Sequence, residues 1–213
     1  MRGAYPAVDG RSVRPLRVEV ERAGDGGRIR YTLSEGYLEI VLGCDERGVT
    51  VEARLGGMTV APARVAPLGD AAVQAARGFR QGLGLGGPSG FVALPPAEPA
   101  ESYGLTALQA ADGAALIIAS HDHHRFLQHS QVTRGEDGET RLTAWFQTEA
   151  IPLAGELVLP TLYLWPAADA WGGLRAAAQA IAETMHARAQ QPISYHWCSW
   201  YYLYYNLTEP LLE

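Results

Sequence analysis

The sequence predicts a mainly β fold, a sandwich or barrel, followed by a helix and then the opening of a second strand-and-helix unit. Three observations predict it. Short segments alternate apolar and polar residues from Leu16 to about Trp165, turn signals fall between them, and the period changes after Trp165. Many short strands without intervening helices must bury one face each, which leads to a sandwich or a barrel.

The elements follow in order. Leu16-Arg17-Val18-Glu19-Val20, Tyr37 to Leu42, Val49 to Leu55 and Leu142 to Phe146 carry the period of two that a half-buried strand requires. Between such segments lie Asp25-Gly26-Gly27, Asp45-Glu46-Arg47-Gly48, Asp112-Gly113 and Glu136-Asp137-Gly138, the residue types that close hairpins. The stretch from Ala61 to Pro99, rich in Ala, Gly and Pro, breaks the alternation; a short helix near Asp70 to Ala76 and long loops are expected there. After Trp165, Asp169 is placed to cap a helix, Leu174, Ala178, Ile181 and Met185 recur at helical spacing, and Pro192 stops it. One amphipathic helix from Asp169 to about Gln190 is expected. Ile193 to Cys198 then reads as a strand, and Thr208 with Pro210 in the first turn opens another helix. Only about one turn of that helix is present and no C-cap follows, so Glu213 is expected to lie inside a longer protein.

Composition narrows the chemistry. The chain has 213 residues, and 17 basic against 23 acidic side chains leave a net charge of −6. That balance argues against nucleic-acid binding. Every basic residue is an arginine, so a Walker A lysine, a Schiff-base lysine and a lysine general base are all excluded. With 47% hydrophobic and 19% charged residues the composition is globular. No apolar run is long enough to span a bilayer, and the segment before Pro15 lacks the apolar core of a secretory signal, so no membrane partner is expected. Two cysteines, Cys44 and Cys198, are too few for a disulfide framework, and a reducing, cytoplasmic setting is the expectation.

The loudest local signal is Tyr195-His196-Trp197-Cys198-Ser199-Trp200-Tyr201-Tyr202-Leu203-Tyr204-Tyr205, where Tyr and Trp make up seven of eleven positions although the whole chain has 5 Trp and 10 Tyr. Such side chains offer a flat apolar face and a polar edge, which suits a pyranose ring. They serve equally in a core or an oligomer interface. A strand ending in aromatics, then a turn, then a new helix, is how a β/α barrel presents side chains to its ligand.

Trp197-Cys198-Ser199-Trp200-Tyr201, followed by Asn206-Leu207-Thr208-Glu209, resembles the opening of the catalytic barrel in the family-36 glycoside hydrolases, the bacterial α-galactosidases. Upstream the likeness is one of order: sandwich, linking helix, first barrel strand. The resemblance implies an N-terminal β-supersandwich over residues 1–165, a linking helix over 166–192, and the first strand and helix start of a truncated (β/α)8 barrel over 193–213. It further implies a retaining α-galactosidase acting on terminal α-galactosyl residues of small galactosides, with the chain's own downstream barrel as partner and a homo-oligomer contact as a further expectation. Retaining enzymes need two carboxylates about 5–5.5 Å apart; in the family these come from later barrel strands, so no catalytic residue is assigned here and the chain alone is expected to be inactive. Trp200 and Tyr201 would sit beside the terminal galactose, with Trp197 and Cys198 along the pocket wall. His196 stands where the family has Gly. The family's N-terminal loop with a Gly-aromatic-Gln-Ser-Trp character finds its nearest match in Gly78-Phe79-Arg80-Gln81-Gly82, without the tryptophan, which makes Phe79 and Gln81 further substrate-binding candidates.

Two other motifs read as structural. His121, His123, His124 and His129 cluster in sequence, and in a strand His121 and His123 would share a face, but no further ligand group accompanies them and no metal is expected. Gly82-Leu83-Gly84-Leu85-Gly86-Gly87 fits G-x-G-x-x-G, yet Pro88-Ser89-Gly90 follows where a helix is needed, so it is a loop and no cofactor is expected. Two alternatives stay open: a non-catalytic carbohydrate-binding or interaction module, and a raffinose-synthase-like galactosyl transferase on the same barrel.

Overall fold

The structure is a computed structural model and describes residues 3–84 and 87–187. The chain runs through β1 (Tyr5–Val8), β2 (Arg11–Ser12), β3 (Arg17–Ala23), β4 (Gly26–Thr32), β5 (Tyr37–Asp45) and β6 (Gly48–Gly56). It continues with β7 (Arg64–Val73), β8 (Arg77–Arg80), β9 (Gly90–Ala93), β10 (Ala100–Tyr103) and β11 (Leu105–Gln109). Then follow β12 (Ala115–Ser120), β13 (Gln128–Arg134), β14 (Thr140–Gln147), β15 (Leu157–Val158), β16 (Leu162–Ala167) and the helix α1 (Ala170–Thr184).

The strands form two antiparallel sheets. The smaller is ordered β10-β13-β14-β7-β1-β2; the larger is ordered β3-β4-β5-β6-β16-β12-β11-β8-β9, with β15 also on β6. All four turn signals sit at hairpins: β3/β4, β5/β6, β11/β12 and β13/β14. Leu38, Ile40, Leu55, Ile118 and Leu162 of the larger sheet share one buried cluster with Val65, Leu68, Leu142 and Phe146 of the smaller. A β-sandwich results, its core made by the inward-facing residues of both layers.

A second apolar layer lies on the far side of the larger sheet. Ala107, Ala115, Ile117 and Ala119 face Ala170, Leu174 and Ala177 of α1. Strand β12 is therefore covered on both faces, its even position Ile118 in the sandwich core and its odd positions under the helix, which explains why it reads as an unbroken apolar run. Asp169 caps α1 as its residue type predicts, its carboxylate accepting the Gly172 N–H at 2.8 Å. The helix ends at Thr184, earlier than the expected Gln190; His186 takes a positive φ of 52°, which interrupts helical geometry. The expected first barrel strand and the helix start after it lie outside the described residues.

The helix expected near Asp70 to Ala76 is instead the end of β7. Pairing of Ala71, Ala72 and Val73 with β14, in a strand whose earlier residues also pair with β1, outweighs the helix propensity of the alanines. Pro67 falls between Val65 and Leu68, where the register against β14 shifts, so its missing N–H breaks no regular rung. Gly69 permits a close approach by β1: a Cβ there would lie 2.4 Å from the Tyr5 carbonyl oxygen.

Candidate functional site

Phe79, the first of the two sequence candidates in the described region, belongs to the helix-covered side of the larger sheet. Pairing of β8 with β9 sets Phe79 opposite Phe91, and their rings meet edge to face at 5.4 Å. Trp171, in the first turn of α1, closes the group at 6.0 Å from Phe79 and 5.4 Å from Phe91. The Arg77 guanidinium stands 4.5 Å from the Phe91 centroid and donates through Nε to Gln109 Oε1. Trp171 remains 61% exposed, so the cluster is an aromatic platform open to solvent rather than a closed core. A platform of this kind stacks on a sugar ring or accepts an apolar protein surface.

Gln81 does something different. Its N–H donates to Ser102 Oγ at 2.7 Å, its carbonyl accepts the Tyr103 N–H at 3.0 Å, and its side-chain amide donates back to the Gly82 carbonyl. Ser102 is buried in β10 of the smaller sheet and donates onward to the Leu105 carbonyl at 2.6 Å. Gln81 thus joins the end of the larger sheet to the edge of the smaller one through its backbone. Phe79 and Gln81 lie at one strand end, the first in the aromatic cluster and the second at the junction between the sheets. The remaining four candidates, Trp197, Cys198, Trp200 and Tyr201, lie outside the described residues.

The histidine run occupies the β12–β13 connection, and the strand pairing that would align His121 with His123 does not form there. His121 stacks on Tyr163 at 3.9 Å and 7°, with Trp165 at 4.7 Å; the three continue the outer face of β12 and β16 beside α1. His123 turns toward Gly104 and the end of α1, its backbone N–H donating to Met185 Sδ at 3.3 Å. Asp122 accepts the His124 N–H at 2.9 Å and contacts His124 Nδ1 at 2.8 Å, which holds the Asp122 carboxyl below its usual range. Burial depresses both His121 and His123, His121 further through the charge of His123; the Ser120 carbonyl and the Asp122 carboxylate pull His123 the other way. No group of three or more His, Cys, Asp or Glu gathers as a metal ligand set among the described residues. His121, Asp122, Arg125 and Tyr163 instead line an open pocket of about 370 Å³, an aromatic wall with charged groups at its rim.

Sequence reading missed a ladder on the outer face of the smaller sheet. Trp145 of β14 lies opposite His129 of β13, which lies opposite Tyr103 of β10. The rings meet at 5.3 Å and 4.9 Å, and the Arg64 guanidinium stands 4.8 Å from the Trp145 centroid. Burial is the largest influence on His129 and lowers it, against Glu101, whose Oε1 is 3.6 Å from Nδ1. A single alternating strand shows Trp145 only as an outward position; the ladder depends on which strands are neighbours.

No family model matches the chain, and no curated protein matches it. Among solved structures the chain is similar to the galactosidase domain of an α-galactosidase–sucrose kinase, AgaSK, at 12% identity and a TM-score of 0.51, over 99% of this chain and 34% of that one. It is also similar to the α-N-acetylgalactosaminidase NagBb from Bifidobacterium bifidum, in complex with GalNAc, at 14% identity and a TM-score of 0.50, over 88% of this chain and 34% of that one. The chain therefore spans about a third of the length of these two structures. The β-sandwich with its covering helix is a fold that it shares with part of two glycosidases.

Proposed function

We propose that this chain is the N-terminal supersandwich of a retaining α-galactosidase that hydrolyses terminal α-galactosyl residues of small galactosides in the cytoplasm. One observation carries the reading: the order of a sandwich, a capped helix seated on it, and then Trp197-Cys198-Ser199-Trp200-Tyr201, with the sandwich sharing its fold with part of an α-galactosidase. On this reading the acid/base and nucleophile carboxylates, about 5–5.5 Å apart as retention requires, come from barrel strands that follow residue 213. Trp200 and Tyr201 stack on the galactose, Trp197 and Cys198 shape the pocket wall, and the sandwich closes one side of the barrel.

The test is hydrolysis of an aryl α-galactoside by the longer protein and by the 213-residue chain alone. Activity in the first and none in the second is the expected result. A longer protein without carboxylates at its later strand ends, or without α-galactosidase activity, overturns the reading; galactosyl transfer to an acceptor sugar in preference to water assigns the same barrel to a synthase-type transferase.

A second reading, a carbohydrate-binding module, is favoured by the exposed Trp171 above Phe79 and Phe91. It requires the chain alone to bind raffinose or galactose and the Trp171→Ala variant to lose that binding, a result calorimetric titration reads directly.

A further inference from the structure

Strand β3 is a free edge of the larger sheet, with β4 on one side and no strand on the other among the described residues. All seven of its residues are exposed. The other sheet ends are shorter: four residues in β9, four in β10 and two in β2. A long uncovered edge offers a row of backbone N–H and C=O groups to another strand.

The two faces of β3 differ. Val18 lies opposite Tyr31 and Val20 opposite Ile29, and these in turn lie opposite Leu38 and Ile40 of the core. Residues directly opposite in antiparallel strands share a face, so the sandwich's apolar rows run outward to the edge and end on Val18 and Val20, which are 48% and 65% exposed. The other face carries Arg17, Glu19 and Glu21, with Arg17 2.9 Å from Glu19.

We propose that β3 is a dimerisation edge at which two copies of this chain pair antiparallel about a twofold axis through Val18, joining their larger sheets into one. Each Val18 then faces the partner's Val18, and Arg17 faces the partner's Glu19, with the reciprocal contact generated by symmetry. Charge selects this register. An axis through Glu19 sets that carboxylate against its own copy, and one through Val20 sets Glu19 against the partner's Glu21. Edge charges ordinarily deter pairing; here the order Arg17, Glu19, Glu21 sets like charges opposite each other in the neighbouring registers and opposite charges in this one. Pro15, lacking an N–H, ends the ladder on one side. An edge of this length gives an interface at the small end of the usual range, with an affinity of about micromolar order. The inference stands on the sheet edge and does not depend on the enzyme reading.

The experiment is sedimentation velocity of the 213-residue chain from about 1 to 100 µM, a span that brackets that affinity. Wild type dimerises across this span. Arg17→Glu and Glu19→Arg each place two like-charge pairs at the axis and weaken the dimer by about tenfold or more, whereas the combined swap restores wild-type affinity. Both positions are exposed, and circular dichroism verifies that each of the three variants keeps its fold. As a second measurement, Val18→Cys forms an intermolecular disulfide under mild oxidation in a background with Cys44 and Cys198 replaced by Ser, because opposed residues lie within the reach of an S–S bond. A wild type that stays monomeric at 100 µM overturns the proposal. So does a dimer that both single charge variants leave intact, or one that the combined swap fails to restore; these place the contact on another surface.

Discussion

Gly173→Ala gives a sharp test of how α1 is seated. Position 173 is in the helix interior, where replacing Gly by Ala alone is worth about 1 kcal/mol of stabilisation. The structure opposes that gain. A Cβ at Gly173 would lie 2.5 and 2.6 Å from Cγ1 and Cδ1 of Ile117 and 2.8 Å from the Ala167 Cβ. Ordinary carbon contacts are about 3.5–4.0 Å, so the helix or Ile117 has to shift by roughly 1 Å. Ile117 is 1% exposed between the helix and the sandwich core, with little room to give. Overpacking of this kind costs about 1–3 kcal/mol, and with the propensity gain set against its upper part the net effect is a destabilisation of about 1–2 kcal/mol. Urea unfolding followed by circular dichroism reads it as a lower midpoint. Ile117→Ala removes the obstructing atoms and by itself costs about 2–5 kcal/mol; combined with Gly173→Ala the loss is smaller than the sum by about 1 kcal/mol or more, because the new methyl partly fills the cavity. A stabilised Gly173→Ala variant, or strict additivity with Ile117→Ala, refutes the seating of α1 on β12.

Other outcomes follow from the same geometry. Asp169→Ala removes the acceptor of the Gly172 N–H and costs about 1 kcal/mol, read in the same urea titration, while Asp169→Asn loses less. Trp145→Ala, at 4% exposure between His129 and Arg64, costs about 3–5 kcal/mol; a loss below about 1 kcal/mol contradicts the ladder. His121, His123 and His129 are all held below the ordinary histidine value of 6.5 by burial. The unfolded chain therefore takes up these protons first, so stability is full above that value and falls as pH drops through it toward the lowered native values. Urea midpoints decline from pH 7.5 to pH 5.5, and His123→Gln flattens part of that slope; a level profile over the window contradicts the burial of the three rings.

Much of the sandwich was legible because its cues are local. Alternation at Tyr37 to Leu42 and a turn at Asp45 to Gly48 specify a hairpin without reference to anything distant, and β5 and β6 form it. Asp169 likewise declares a helix start by the carboxylate that its first turn needs. Strand β7 was hidden because its determinants are remote. Its alanines favour a helix, and Pro67 and Gly69 look like breakers until β14 and β1 are placed on either side. The clusters have the same origin. Phe79 was marked by motif, but Phe91 and Trp171 come from a different strand and from the helix, and only the packing of α1 on the larger sheet gathers them. The histidine run misleads in the opposite sense: neighbours in sequence separate in space, His121 to Tyr163 and His123 to Met185, since the chain bends after β12 instead of extending.

The enzyme reading turns on what the aromatic segment does to substrate. The decisive quantity is kcat/KM of the longer protein for an aryl α-galactoside, compared between wild type and Trp200→Ala, with Tyr201→Phe as the conservative companion. Loss of a ring stacked on the galactose lowers kcat/KM by about tenfold or more, and added galactose protects the wild-type tryptophan fluorescence from quenching. A Trp200→Ala enzyme with unchanged kcat/KM contradicts the assignment of this segment to the sugar pocket.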